Sequence, residues 1–181
     1  MNLHNRSLKV DLIEFNFASE TDVLLMYKRV KNLGELAGMS IYDQLRFTTA
    51  VTEMIRICCL LFGTGHSIFY IDKQCIEIEL RVNIEGPIDR IKLEAEMGRS
   101  AALENHLNIS QLTDAFQVDI EGTIMKIVLA KRINAQKAFF RDTINKWNTI
   151  LGNIVIVSPY EEIKKSNIEL LKLYEGLKRN E

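Results

Sequence analysis

Cysteine, proline and tryptophan are scarce: 3, 2 and 1 residues in a chain of 181. The cysteines, Cys58, Cys59 and Cys75, form no CxxC pair, which removes the common zinc-binding and thiol-redox spacings. An odd set without spacing fits reduced thiols, so a cytoplasmic chain is expected and not a disulfide-stapled secreted one. Charge of one sign is also missing. The 23 Lys and Arg against 24 Asp and Glu give a formal net charge of −1, and no overall field draws the chain to nucleic acid or an anionic membrane. No apolar run approaches the roughly 18 residues of a membrane span. Met1 to Val10 carries no signal-peptide core. Low-complexity segments and internal repeats are absent too.

What is present suffices for a core. The chain is 47% hydrophobic and 26% charged, with room for one domain plus an accessory element. Lys9 to Phe17 alternates as a first strand. Ser19 with Asp22, and Ser40 with Asp43, have the spacing that caps helix starts. The first helix repeats Val23, Tyr27, Val30 and Leu33, with Gly38 at its C-terminal cap. The second runs to about Phe62 and is expected to bury Ile41, Leu45, Thr48, Val51, Ile55, Cys58 and Phe62. A short strand at 67–71 and an alternating one at 75–84 form a hairpin, with Glu77, Glu79, Arg81 and Asn83 on its polar side. Gly86-Pro87 ends it, and residues 89–112 read as partly helical. A second hairpin spans 116–120 and 123–131. A helix over 135–151 contains Phe139, Ile144, Trp147 and Ile150. Ser158-Pro159-Tyr160-Glu161 opens a last helix.

This order of elements predicts an α+β fold, a two-layer sandwich with a mixed or antiparallel sheet covered by helices. Domain boundaries follow as 1–133, a helix and linker over 134–157, and a helical or coiled-coil extension over 158–181. In the last helix Ile163, Asn167, Leu170, Tyr174 and Leu177 step by 4, 3, 4 and 3, the heptad spacing of a coiled-coil seam. Two arrangements are open: the seam pairs with a second chain, giving a homodimer, or the helix folds back on the domain.

The second helix also carries a resemblance. Asp43-Gln44, Arg46, Thr49-Ala50, Glu53 and Arg56 resemble the pocket helix of bacterial anti-sigma factors and switch-protein serine kinases. These belong to the histidine kinase-like (Bergerat-fold) ATPases, with a pattern close to D-Q-x-R-x-x-T-A-x-x-E-x-x-R-N. The likeness covers roughly residues 9–133. It implies the histidine kinase-like ATPase fold, and a nucleotide pocket in which Glu53 would position water and an Asn directly after the matched Arg56 would ligate magnesium. That position is Ile57, which offers no oxygen to a hard cation. The family's D-x-G-P-G-I box corresponds to Ile84 through Ile88. Gly86 and Pro87 match, while the adenine-reading Asp is Ile84. The glycine-rich phosphate cradle corresponds to Leu103 through Leu107, which has no glycine. Gly122-Thr123 resembles the closing hairpin. The tail, Ser158-Pro159 to Leu171, resembles the linker of multidomain sensor kinases in two-component systems.

Glu53, Arg56, Gly86, Pro87 and Thr123 are therefore the expected vestigial nucleotide pocket, with no catalytic residue and no metal site. The resemblance implies a pseudo-kinase in signal transduction that works through a protein partner, without nucleic acid, membrane or cofactor. Two alternatives stand beside it: an active kinase or anti-sigma factor that binds ATP and magnesium, and a sensor of another small ligand. Glu53 and Arg56 also read as a plain intrahelical ion pair. His4, His66 and His106 have no metal-ligand spacing, and core or surface roles are expected of them.

Overall fold

Strand β1 (Val10–Phe17) lies antiparallel to β2 (Gly65–Ile71), although two helices, α1 (Glu20–Leu36) and α2 (Ile41–Phe62), separate them in sequence. The computed structural model describes residues 9–72, 74–103, 108–133, 141–156 and 158–178; within these, the side chains of 100–103, 141, 159, 162, 173, 175, 177 and 178 are not among those described. The chain continues through β3 (Cys75–Asn83), α3 (Ile88–Leu103), α4 (Ile109–Leu112), β4 (Ala115–Glu121), β5 (Ile124–Arg132), α5 (Arg141–Gly152) and α6 (Pro159–Lys178). The strands form one open sheet in the order β1-β2-β3-β5-β4, with every pair antiparallel. The fold is thus α+β, five antiparallel strands with six helices among the described residues.

Alternation along β3 sets the layers. Ile76, Ile78, Leu80 and Val82 are fully buried beside Leu129, Ile127 and Met125 of β5. Each such aliphatic side chain contributes about 1.5–3 kcal/mol by leaving water. The opposite face carries polar pairs: Arg81 to Glu79 at 2.5 Å, Lys126 to Glu121 at 2.7 Å and Lys9 to Glu77 at 2.5 Å. The polar side of the hairpin is where the sequence placed it.

Local capping chemistry also holds. Ser19 Oγ accepts from the Asp22 amide while Asp22 Oδ2 accepts from the Ser19 amide at 3.1 Å, and Ser40 Oγ accepts from the Asp43 amide at 3.1 Å. Gly38, with φ of 73°, takes the left-handed conformation just past α1. The α1 stripe gains a member that periodicity did not offer. Arg29 is buried, with its guanidinium 3.3 Å from the centre of the Phe15 ring. Burial lowers its pKa from the ordinary value, while the charge of Asp22 acts the other way.

Two expectations about helices need correction. Ile41 and Leu45 are exposed, whereas Phe47, Ala50, Thr52, Met54 and Ile57 join Thr48, Val51, Ile55 and Cys58 in the interior. α2 packs on the sheet, α1, α3 and α4 together. That widens the buried face beyond one stripe. In α5, Ile144, Trp147 and Leu151 are buried against α1 and β1, and Ile150 is exposed. The expected start of that helix, including Phe139, lies outside the described residues.

Candidate functional site

Helical spacing puts Arg46, Thr49, Glu53 and Arg56 along one side of α2. Glu53 and Arg56 form an ion pair one turn apart, with Glu53 mostly covered and Arg56 half in solvent. Arg46 is a tie between elements: its guanidinium donates to the Gln111 carbonyl of α4 and to the Tyr42 hydroxyl at 2.7 Å. One residue past Arg56, Ile57 is 4% exposed and belongs to the hydrophobic core.

The β3–α3 connection brings three of the sequence-derived positions near one another. The Ile84 amide donates to the Thr123 carbonyl at 2.8 Å, so the start of this loop lies against the β4–β5 turn. Ile84 itself is 6% exposed and packs in the core. Gly86 and Pro87 follow at the head of α3. The amides just ahead of Pro87 are already engaged: Asp89 Oδ2 accepts from the Glu85 amide at 2.7 Å and from the Gly86 amide at 3.4 Å. These hydrogen bonds, with Lys92 adding its charge against the cost of burial, hold the Asp89 carboxyl below its ordinary pKa. A carboxylate of the chain thus sits on amides that would otherwise be free to meet an anion. Sequence reasoning missed Asp89. The signal was available, since an acid in the first turn after Gly-Pro is placed to cap the preceding amides.

Arg56 faces elsewhere. It lines a cavity of about 480 Å³ with Tyr27, Lys28 and Lys31 of α1 and with Ile163 and Asn167 of α6. Leu170 lines a neighbouring cleft of about 30 Å³ with Ile41, Leu45 and Thr48. Of the expected seam, then, Ile163, Asn167 and Leu170 lie over the chain's own α1–α2 groove, and Lys31 of α1 is ion-paired with Glu169 of α6. Ile163, Leu170 and Tyr174 nevertheless remain 51%, 44% and 61% exposed. The side chain of Leu177 lies outside the described residues, as do residues 104–107 of the expected phosphate cradle, His4 and His106.

A second group missed from sequence is Lys131. It stands on the inner face of β5 and reaches Asp43 at 3.1 Å and Asp114 at 3.4 Å. Burial opposes charge on Asp43, but hydrogen bonds from Lys131 and Ser40 and the positive charges of Lys131 and Arg46 outweigh it and lower its pKa. The Asp of the D-Q-x-R motif thereby anchors the start of α2 to the sheet. His66, on the open face, contacts Asn16 Oδ1 at 2.8 Å and Glu14 Oε2 at 3.0 Å. Among the described residues, no cluster of three His, Cys, Asp or Glu is arranged to hold a metal ion, and no helix is long and apolar enough to cross a membrane.

Compared with models of protein families and with curated proteins, the chain matches none.

Proposed function

We propose that the chain is a non-catalytic interaction module of a bacterial signalling pathway, acting in the cytoplasm on a protein partner. In this reading it is a degenerate relative of the anti-sigma-factor and sensor-kinase ATPase domains. The observation that carries the proposal is the burial of Ile57 and Ile84 in the hydrophobic core. In the resembled pocket these positions supply the magnesium ligand and the adenine acceptor. Here two aliphatic side chains contribute packing and neither offers a lone pair. The Asp89 carboxylate adds to this, because it already occupies the Glu85 and Gly86 amides of the box that would read the base.

The order of elements supports the fold side of the reading: a strand, two helices, a hairpin, a helical stretch and a second hairpin, as the resemblance implies. Glu53 and Arg56 would then stabilise α2 as a half-covered helical ion pair, worth about 0.2–0.5 kcal/mol.

A second reading, a sensor of a small ligand, is favoured by one feature. The cavity of about 480 Å³ under α6 lies in the range of roughly 300–1,000 Å³ typical of ligand pockets. It mixes apolar walls with Lys28, Lys31, Arg56 and Lys165 and with the carboxylates of Glu35 and Glu169.

Calorimetric titration with ATP and magnesium, together with nucleotide-dependent melting, tests the proposal. No heat and an unchanged melting temperature are expected. Saturable binding that disappears in Glu53→Ala would overturn it in favour of a working nucleotide site.

A further inference from the structure

We infer that the apolar stripe of α6 has two competing occupants, the chain's own α1–α2 groove and α6 of a second copy, so that self-association requires α6 to leave the groove. The inference rests on the reading of the chain as an interaction module and names its partner at this surface.

The stripe is longer than the seam first identified. Tyr160, Ile163, Asn167, Leu170, Tyr174 and Leu177 step by 3, 4, 3, 4 and 3 along the sequence. This is a run of a and d positions with Tyr160, Asn167 and Tyr174 at a. In the closed arrangement Ile163, Asn167 and Leu170 face the groove, yet the fit is poor. Ile163 and Asn167 border a solvent-open cleft of about 480 Å³ in place of a packed contact. Tyr160 is 76% exposed and Tyr174 61%. A well-packed interface leaves few voids larger than a water molecule. The polar ties to α1 are modest: the Lys31–Glu169 ion pair at the surface, and Lys28 Nζ to the Val155 carbonyl at 3.4 Å in the connection before α6. An exposed ion pair is a weak tether.

Asn167 selects the second occupant. Its carboxamide has both a donor and an acceptor. In the groove it borders the open cavity, where water can satisfy it. In a two-stranded parallel coiled coil, a central Asn at an a position meets its own equivalent across the seam, donor to acceptor. Against an apolar helix of another protein it would be buried without a partner. The stripe therefore fits an identical helix in register better than an unrelated one. Because the same side chains serve both occupants, closed monomer and dimer exclude one another, and the ion pair to Lys31 biases the balance.

Analytical ultracentrifugation of the full chain from micromolar to millimolar concentration tests this, with circular dichroism confirming that each variant folds. The wild type is expected to shift from monomer to dimer. Lys31→Glu should tighten the dimer about 4- to 25-fold, two- to fivefold for each of the two chains that must release α6. Leu170→Asp should remain monomeric. A variant carrying Lys31→Cys and Glu169→Cys, with Cys59 and Cys75 replaced by serine and the new pair joined by a reducible bis-maleimide that spans the reach of the ion pair to lock α6 on α1, should also remain monomeric and should dimerise again on reduction. Two results would overturn the inference: a wild type and Lys31→Glu that both stay monomeric at millimolar concentration, or a dimer that persists in the locked variant. Nucleotide binding is read separately, so either result leaves the pseudo-enzyme proposal standing. ATP binding would sink that proposal, whereas the ultracentrifugation decides this one.

Discussion

Alanine in place of Gly65 probes how tightly the first and second strands close over the core. Gly65 pairs with Phe17 across β1 and β2. A Cβ built at Gly65 would stand 2.2 Å from Phe17 Cζ, 2.5 Å from Cε2 and 3.0 Å from Cε1. Such approaches are far inside van der Waals contact, so the ring or the strand must move. Phe17 is fully buried and has little room to turn. Overpacking of this kind costs about 1–3 kcal/mol. Alanine recovers about 0.4–1 kcal/mol by restricting the unfolded chain. The net expectation is a loss of about 1–2 kcal/mol, or roughly 2–8 °C in melting temperature for a domain of this size. A double-mutant cycle isolates the cause. Phe17→Leu alone should cost about 1–2 kcal/mol through lost burial. With Gly65→Ala added, the shorter side chain makes room, and the pair should cost at least about 1 kcal/mol less than the sum of the singles. Urea unfolding measures all four corners. Strict additivity, or a Gly65→Ala protein as stable as the wild type, would refute the claim that the two residues compete for one space.

Two further outcomes follow from buried polar and thiol groups. Lys131→Met leaves Asp43 and Asp114 without their shared cation and should cost about 1–3 kcal/mol in urea unfolding, below the 3–5 kcal/mol of a fully buried pair because both acids are partly exposed. The sign with pH is fixed. The lowered pKa of Asp43 contributes stability above the ordinary carboxylate range and loses it as pH falls through the folded value. The acid limb of stability against pH should therefore flatten in Lys131→Met. Thiol labelling of the native protein should spare Cys58, which is fully buried and whose pKa burial raises strongly, with the neighbouring Cys59 adding to the rise. Cys75, pushed up to about 12 chiefly by burial, should react slowly at neutral pH, and all three should react at once in denaturant. Rapid native labelling of Cys58 would contradict the packing of α2.

Much of the candidate site was legible because it is local. The two serine caps, the Gly38 stop and the polar side of β3 each depend on residues within one turn or one strand. The replacement of an oxygen-bearing residue by Ile57, and of an acid by Ile84, was visible as text. Their burial was not, because it depends on how the core as a whole closes around them. Asp89 and Lys131 escaped for the same reason. An acid near Gly-Pro and a lysine in a strand are ordinary in sequence, and acquire a role only when the amides of Glu85 and Gly86 or the carboxylate of Asp43 is brought alongside.

The sequence alone determined the elements, their caps and the α+β class, since these rest on periodicities of two and of 3.6 residues and on side chains reaching their own backbone. It also determined the heptad stripe of α6. The tertiary structure decided the rest. It paired β1 with β2 across two helices, set β5 between β3 and β4, and buried α2 on a broad face in place of one stripe. It also turned the α6 stripe toward the α1–α2 groove. Those outcomes depend on contacts between residues far apart in the chain, where several partners satisfy the same local pattern and only the closing of the whole core selects among them.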